Sequence, residues 1–278
     1  MFLRLARHEP EHAGTCRGFT LVELLVVIGI IAVLISILIP TLGKARAAST
    51  RTVCLSNLRQ LASACVLYAT ENRGSIPPNN GPSLNQSQTW EVWFDPKTTG
   101  GVRPARDGYV ENWSGVGILF VRRYIKEPIA FYCPGQVILL LTYPTGWEHD
   151  KRPPIGYKAI GYIYRIFGQA QPPHITVQDV KAIQGLKLGK MKGAKALAMD
   201  AIGQNDWAPK SAWPHRNQYG ICVGYSDGHA NFQLMNESDY KHTFQIRNAR
   251  MGDIYIFRMF KAMDTLDFTE VRQPIPTN

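Results

Sequence analysis

The stretch "RGFTLVELLVVIGIIAVLISILIPTLGKAR", residues 17–46, decides how this chain is built. From Leu24 to Ile39 no residue carries a charge, and Phe19 to Ile39 is the only apolar segment of membrane length. As a helix rising about 1.5 Å per residue, that segment just spans a hydrocarbon core of about 30 Å. Near its start stands Glu23, a carboxylate that costs about 2.5–3.5 kcal/mol inside hydrocarbon and therefore calls for a partner. Arg4, Arg7 and Arg17 precede the run, and Lys44, Arg46 and Arg51 follow it. The short leader is expected to stay cytoplasmic with everything after Thr41 outside, although basic residues on both sides leave the charge rule indecisive. No small-x-small cleavage site closes the run, which ends Ile39-Pro40-Thr41, so a retained segment is expected rather than a cleaved secretory signal.

Beyond Pro40 the helical pattern resumes. Leu58, Leu61, Ala62, Cys65 and Tyr68 fall on one face at helical spacing, and Gly74 with Pro77-Pro78 ends the element. Residues 75–115 turn rich in Asn, Gly, Pro and Gln, with Trp90, Trp93 and Trp113 among them. This reads as a loop-rich connection held to the body by its aromatic rings. "WSGVGILFVRRYIKEP" predicts a short helix stopped before Pro128. "IAFYCPG", "QVILLLTYP" (with a short buried helix as its alternative), "GYKAIGYIYRIFG", "KALAMDA" and both arms of "YGICVGYSDGHANFQLM" read as strands. Asp227-Gly228 between alternating runs is a strong hairpin signal, with positive φ expected at both residues. The tail "MGDIYIFRMFKAMD" fits helix or strand equally. The sum is a helix followed by mostly antiparallel strands, an α+β class. With 278 residues there is room for one medium domain plus an anchor, or for two small domains. The net charge of +10 suits nucleic acid, an acidic glycan or an anionic membrane, but an ordinary basic solvated surface explains it as well. "KAIQGLKLGKMKGAKA" lacks interleaved aromatics and reads as a solvated connection rather than a polyanion site.

"GFTLVELLVVIGIIAVL" resembles the N-terminal signature of type IV prepilins and type II secretion pseudopilins. The resemblance implies cleavage by a prepilin peptidase between Gly18 and Phe19, N-methylation of Phe19, and an inner-membrane protein with a periplasmic head. It also implies assembly with other pilin or pseudopilin subunits, in which Glu23 pairs with a neighbour's N-terminal amine. Pro40 stands at another common family position. The implied organisation is a leader at 1–18, an assembly helix at 19–41, the soluble half of the same helix at 42–73, and a pilin-like head at 74–278. "CLSNLRQLASACVLYATENRGSIPP", "FYCPG", "GYKAIGYIY" and "DGHANF" look like the pseudopilin-like paralogues of planctomycete and lentisphaera-type bacteria. Those carry His, nine residues, then Asp-Gly. Here eleven residues separate His215 from Asp227-Gly228, a departure that weakens any role tied to that spacing.

The chemistry-bearing residues are few. His215, Ser226, Asp227 and His229 are the types a hydrolase uses, but turn geometry accounts for Asp227-Gly228 and no G-x-S-x-G elbow exists. An enzyme is not expected. No cofactor is expected either; Asp200, Asp206, Asp227 and Asp253 are the oxygen donors open to calcium, without a D-x-D-x-D run. His8, His12, His149, His174 and His242 read as surface residues. Cys16, Cys54, Cys65, Cys133 and Cys222 form no CxxC pair and lack zinc-ligand spacing, so no metal centre is expected from them. Cys16 leaves with the leader. Cys54 and Cys133 lie in the family-like segments and are expected to form a disulfide, while Cys65 and Cys222 read as buried free thiols. The expected function is a structural pilin-like subunit. The alternatives are a minor pilin whose basic head binds DNA or acidic polysaccharide, and an anchored enzyme.

Overall fold

The computed structural model describes residues 19–78, 91–94, 112–148, 157–165, 187–201, 214–242 and 258–267. The chain divides into two compact units, Met1–Arg46 and Ala47–Asn278. One element dominates the described part of the first unit. Helix α1 (Leu21–Glu71) begins there and keeps Pro40 inside it. Pro40 has no N–H for the Ser36 carbonyl; one residue on, the Thr41 hydroxyl donates to Leu38 O at 2.8 Å. Residues 21–46 are exposed throughout, so among the described residues nothing covers the apolar run.

In the second unit the remaining turns of α1 bury Cys54, Leu58, Leu61, Ala62, Cys65 and Tyr68. All but Cys54 belong to the stripe that the helical spacing predicted. It lies on a four-stranded antiparallel sheet of order β3-β4-β5-β6: β3 (Tyr162–Tyr164), β4 (Ala196–Asp200), β5 (Gly220–Tyr225) and β6 (Ala230–Leu234). Strands β4 and β5 are buried along their whole length, as strands covered on both faces must be. On the α1 side, Gly224 lets the helix backbone come close: a Cβ there would meet Leu58 O at 2.9 Å. Residues 258–265 are helical and bury Met259, Phe260, Ala262 and Met263. Asp264 of that helix accepts Ala196 N–H at 2.8 Å and pairs with buried Arg165 at 2.9 Å, fastening it to β4. A second, two-stranded sheet joins β1 (Glu91–Phe94) to β2 (Tyr157–Ala159). Two short helices are α2 (Gly117–Val121) and α3 (Glu237–His242). Trp113, Phe120, Phe131 and Trp147 pack ring to ring beneath Lys158; most of residues 75–115, Trp90 included, lies outside the described residues.

The α+β, pilin-like class stands, with differences inside it. "IAFYCPG" is not a strand but carries a 3-10 turn at Pro128–Phe131, and "QVILLLTYP" follows its alternative, a short helical turn at Leu139–Leu141 with Leu141 buried. Pro128, Pro134 and Pro144 remove ladder donors from this stretch, and Gln136 Oε1 takes up the N–H groups of Val137 and Ile138. "GYKAIGYIYRIFG" is two strands in two sheets, divided where Gly161 N–H turns to Phe131 O at 3.0 Å. Strand β1 falls within the segment read as loop. At the hairpin only Gly228 of the Asp-Gly pair has positive φ (88°). Gly228 N–H donates to Tyr225 O at 3.0 Å and Tyr225 N–H to His229 O at 2.8 Å. The loop is therefore three residues ending in a left-handed glycine, not a two-residue turn.

Candidate functional site

At the start of α1 the puzzle of Glu23 has a local answer. The Thr20 carbonyl accepts the first helical bond, from Leu24 N–H, so Thr20 is the N-cap. Its hydroxyl oxygen accepts Glu23 N–H at 3.2 Å. In return Glu23 Oε2 accepts Thr20 N–H at 2.9 Å and the Thr20 hydroxyl at 2.7 Å. "TLVE" is thus a capping box, with Glu23 at its third helical position. The signal was present in the sequence as Ser/Thr-x-x-Glu ahead of an apolar run. Phe19 is exposed beside it, and Gly18 and the rest of the leader lie outside the described residues. By length and composition α1 is able to cross a membrane.

The head holds a second cluster, buried at the contact of α1 with β4 and β5. Cys54 comes from α1, Asp200 from the end of β4 and Cys222 from β5. His215 comes from the turn leading into β5, where its backbone is left-handed (φ 59°), a conformation uncommon outside glycine. Cys133 follows the 3-10 turn at Pro128–Phe131. Asn57 Nδ2 of α1 holds this last segment through Tyr132 O at 2.9 Å, and Gln136 Nε2 anchors it to Ala201 O at 3.1 Å. His215 Nε2 lies 3.4 Å from Cys133 Sγ, 3.5 Å from Cys222 Sγ and 3.6 Å from Asp200 Oδ2. The Cys54 thiol donates to Asp200 Oδ1 at 2.9 Å, and Cys222 N–H donates to Asp200 Oδ2 at 2.7 Å. Cys54 Sγ also meets Tyr162 Oη at 3.4 Å. Ligand atoms of Cys54, Asp200, His215 and Cys222 all lie within 4.8 Å of one another. Phe232 closes over the His215 ring, edge to face, with Arg51 above it.

Burial raises the Cys54 thiol well above its ordinary pKa, against a smaller opposite effect of its contact with Cys133. Burial and the contact with Cys54 raise Cys133 likewise. For Cys222 the contact with Cys54 acts downward, but burial and the Asp200 charge outweigh it and the thiol stands at about 12. All three are therefore thiols at neutral pH, and a thiolate would need a cation for company.

Cys54 and Cys133 converge on one cluster, unbridged in this structure, and Cys65 and Cys222 are buried free thiols as expected. The cysteines have no zinc-ligand spacing along the chain, yet Cys54 and Cys222 meet Asp200 and His215 in space. Cys222 is part of the hydrophobic core and also lines the cluster. The two described calcium candidates, Asp200 and Asp227, stand apart. Asp200 is buried among sulfur atoms, whereas Asp227 sits in the exposed hairpin beside His229. Ala196 pairs with Tyr225 next to that hairpin, so the length of β4, about 13 Å, separates the two carboxylates. Asp206 and Asp253 lie outside the described residues. The hydrolase types are split in the same way: His215 faces Asp200, while the Ser226 hydroxyl accepts Lys195 N–H. Sequence reasoning marked His215, Cys54, Cys133, Cys222 and Asp200 one by one. Tyr162 carried no signal beyond its place in a strand.

Comparison with known families finds the prokaryotic N-terminal methylation motif at residues 14–39. With the apolar helix that follows, this is a type IV pilin or pseudopilin signature, and it implies processing by prepilin peptidase and assembly with other pilins. No curated protein and no solved structure matches the chain.

Proposed function

We propose that the chain is a structural subunit of a type II secretion pseudopilus or type IV pilus-like filament, made as an inner-membrane precursor. Prepilin peptidase cuts between Gly18 and Phe19 on the cytoplasmic side, Phe19 is N-methylated, and the head stands in the periplasm until α1 carries the subunit into the filament. The observation that supports this reading is the methylation motif leading into a helix whose apolar run is exposed along its whole length. Every large apolar side chain named from Phe19 to Leu42 is at least 44% exposed, which demands first lipid and then neighbouring helices. No catalytic step belongs to this role.

Glu23 is then a group with two successive partners. In the lone subunit it closes the capping box with Thr20. After cleavage a free amine exists at Phe19, and in the filament the carboxylate accepts that amine from a neighbour. The pair neutralises both charges in an apolar bundle and sets the register. Glu23→Gln separates the two duties, because glutamine closes a capping box but forms no ion pair. Both Glu23→Gln and Glu23→Val are expected to insert in the membrane and to fail incorporation into filaments, read by sheared-filament fractionation against membrane content. Normal incorporation of either variant would refute the register role.

A further inference from the structure

The buried cluster in the head is more than packing. Free cysteines often serve as small core residues, but a histidine and an aspartate, each at most 2% exposed at the side chain, do not belong in an apolar pocket without a task. The spacing of the donors indicates the task. A tetrahedral ion with metal–sulfur bonds near 2.3 Å and metal–nitrogen bonds near 2.0–2.1 Å holds sulfur and nitrogen ligands about 3.5 Å apart. His215 Nε2 already stands at that spacing, 3.4 Å from one sulfur and 3.5 Å from another. Cys54 Sγ completes the group, within 4.8 Å of both Cys222 Sγ and the imidazole nitrogen. The donors are soft and borderline, thiolates with an imidazole, which select zinc-class ions over calcium or magnesium. They also sit on elements that other contacts already hold: α1, β5 and the Asn57-anchored turn.

We propose that Cys54, Cys133, Cys222 and His215 Nε2 bind one tetrahedral zinc-class ion that staples α1 to the sheet, with Asp200 as the positioning residue. Binding breaks three S–H bonds and forms three metal–sulfur bonds and one metal–nitrogen bond. Three protons leave to solvent and nothing is oxidised or reduced, so affinity increases as pH rises. Asp200 is placed to accept the first of these protons, from Cys54, while its other oxygen keeps β5 in register through Cys222 N–H. The site concerns the head's integrity and stands apart from N-terminal processing.

The test uses the full-length chain, purified in detergent without chelator or reductant. Metal content is measured by mass spectrometry, and the stripped protein is reloaded with zinc or cobalt(II). The expected result is one zinc per chain, and cobalt absorption with sulfur charge-transfer and tetrahedral ligand-field bands. His215→Ala and Cys133→Ser should lose the ion, Cys65→Ala should keep it, and Asp200→Asn should bind about 10- to 100-fold more weakly with an unchanged cobalt spectrum. Should the variants fail to fold, the cobalt spectrum of the wild-type chain decides alone. A folded, fully reduced wild-type chain that retains no zinc after loading would overturn the proposal, as would a Cys54–Cys133 disulfide in peptides of the native protein. Full retention of zinc by Cys133→Ser would do the same.

Discussion

At Glu23 two demands meet in one side chain. The helix needs a carboxylate or amide at its third position to satisfy the Thr20 N–H, and the proposed assembly asks the same side chain for a charge that a neighbour's amine would meet. The sequence shows the first demand as Thr-x-x-Glu and the second only through resemblance to pilins, since one chain cannot show its neighbour. In the head, Asp227 illustrates a smaller charge effect. Its partial burial acts to raise the pKa, and hydrogen bonds from the His229 backbone and ring outweigh this, leaving the carboxyl below its ordinary value. A folded-state value below the unfolded one contributes stability above the unfolded pKa near 4, and that contribution disappears as pH falls through the lowered value. The side chain is about half exposed, so solvent screens the gain. A carboxyl-detected NMR titration should place Asp227 below an ordinary aspartate, and Asp227→Asn should flatten the acid limb of the stability profile only slightly. An unshifted Asp227 would contradict the hairpin geometry.

Among the elements, the contact of α1 with the sheet carries the most consequence. Leu58 and Ala62 lie against Gly224 on β5, and Cys54, one helical turn before Leu58, lies against Cys222, one strand repeat before Gly224. The two periodicities run side by side, which is why a helix stripe legible in the sequence lands on a strand also legible there. Gly224→Ala should therefore push helix and sheet apart. Its Cβ would meet the Leu58 carbonyl rather than a movable side chain, and the expected cost is about 1–3 kcal/mol in denaturant unfolding of the protein. Wild-type stability in that variant would mean the contact is looser than described. The elements that sequence reasoning misplaced or left open are those where proline and long-range partners outvote local pattern. "QVILLLTYP" has strand composition, yet Gln136 caps its own downstream N–H groups and leaves the helical turn of its alternative reading. Strand β1 is short and pairs with β2 across more than sixty residues of chain, about the hardest kind of partner to foresee from local pattern.

For the whole molecule, the N-terminal segment and the head differ in how much they disclose. The anchor is written in a contiguous run, so its chemistry is legible in the sequence alone. The proposed metal site draws on positions 54, 133, 215 and 222 with Asp200 beside them, and only the meeting of a helix, two strands and two turns brings those atoms together. Spacing rules that recognise zinc sites look for paired cysteines nearby in sequence, and this chain has none. The two regions also imply separate failures: loss of the head cluster should leave processing intact, and loss of processing should leave the head folded. Everything said of assembly depends on this chain being a processed pilin-like precursor, and its mature N-terminus decides that. Mass spectrometry of the protein from cells with an active prepilin peptidase should find a chain beginning at N-methylated Phe19. A chain retaining residues 1–18 in such cells would refute it.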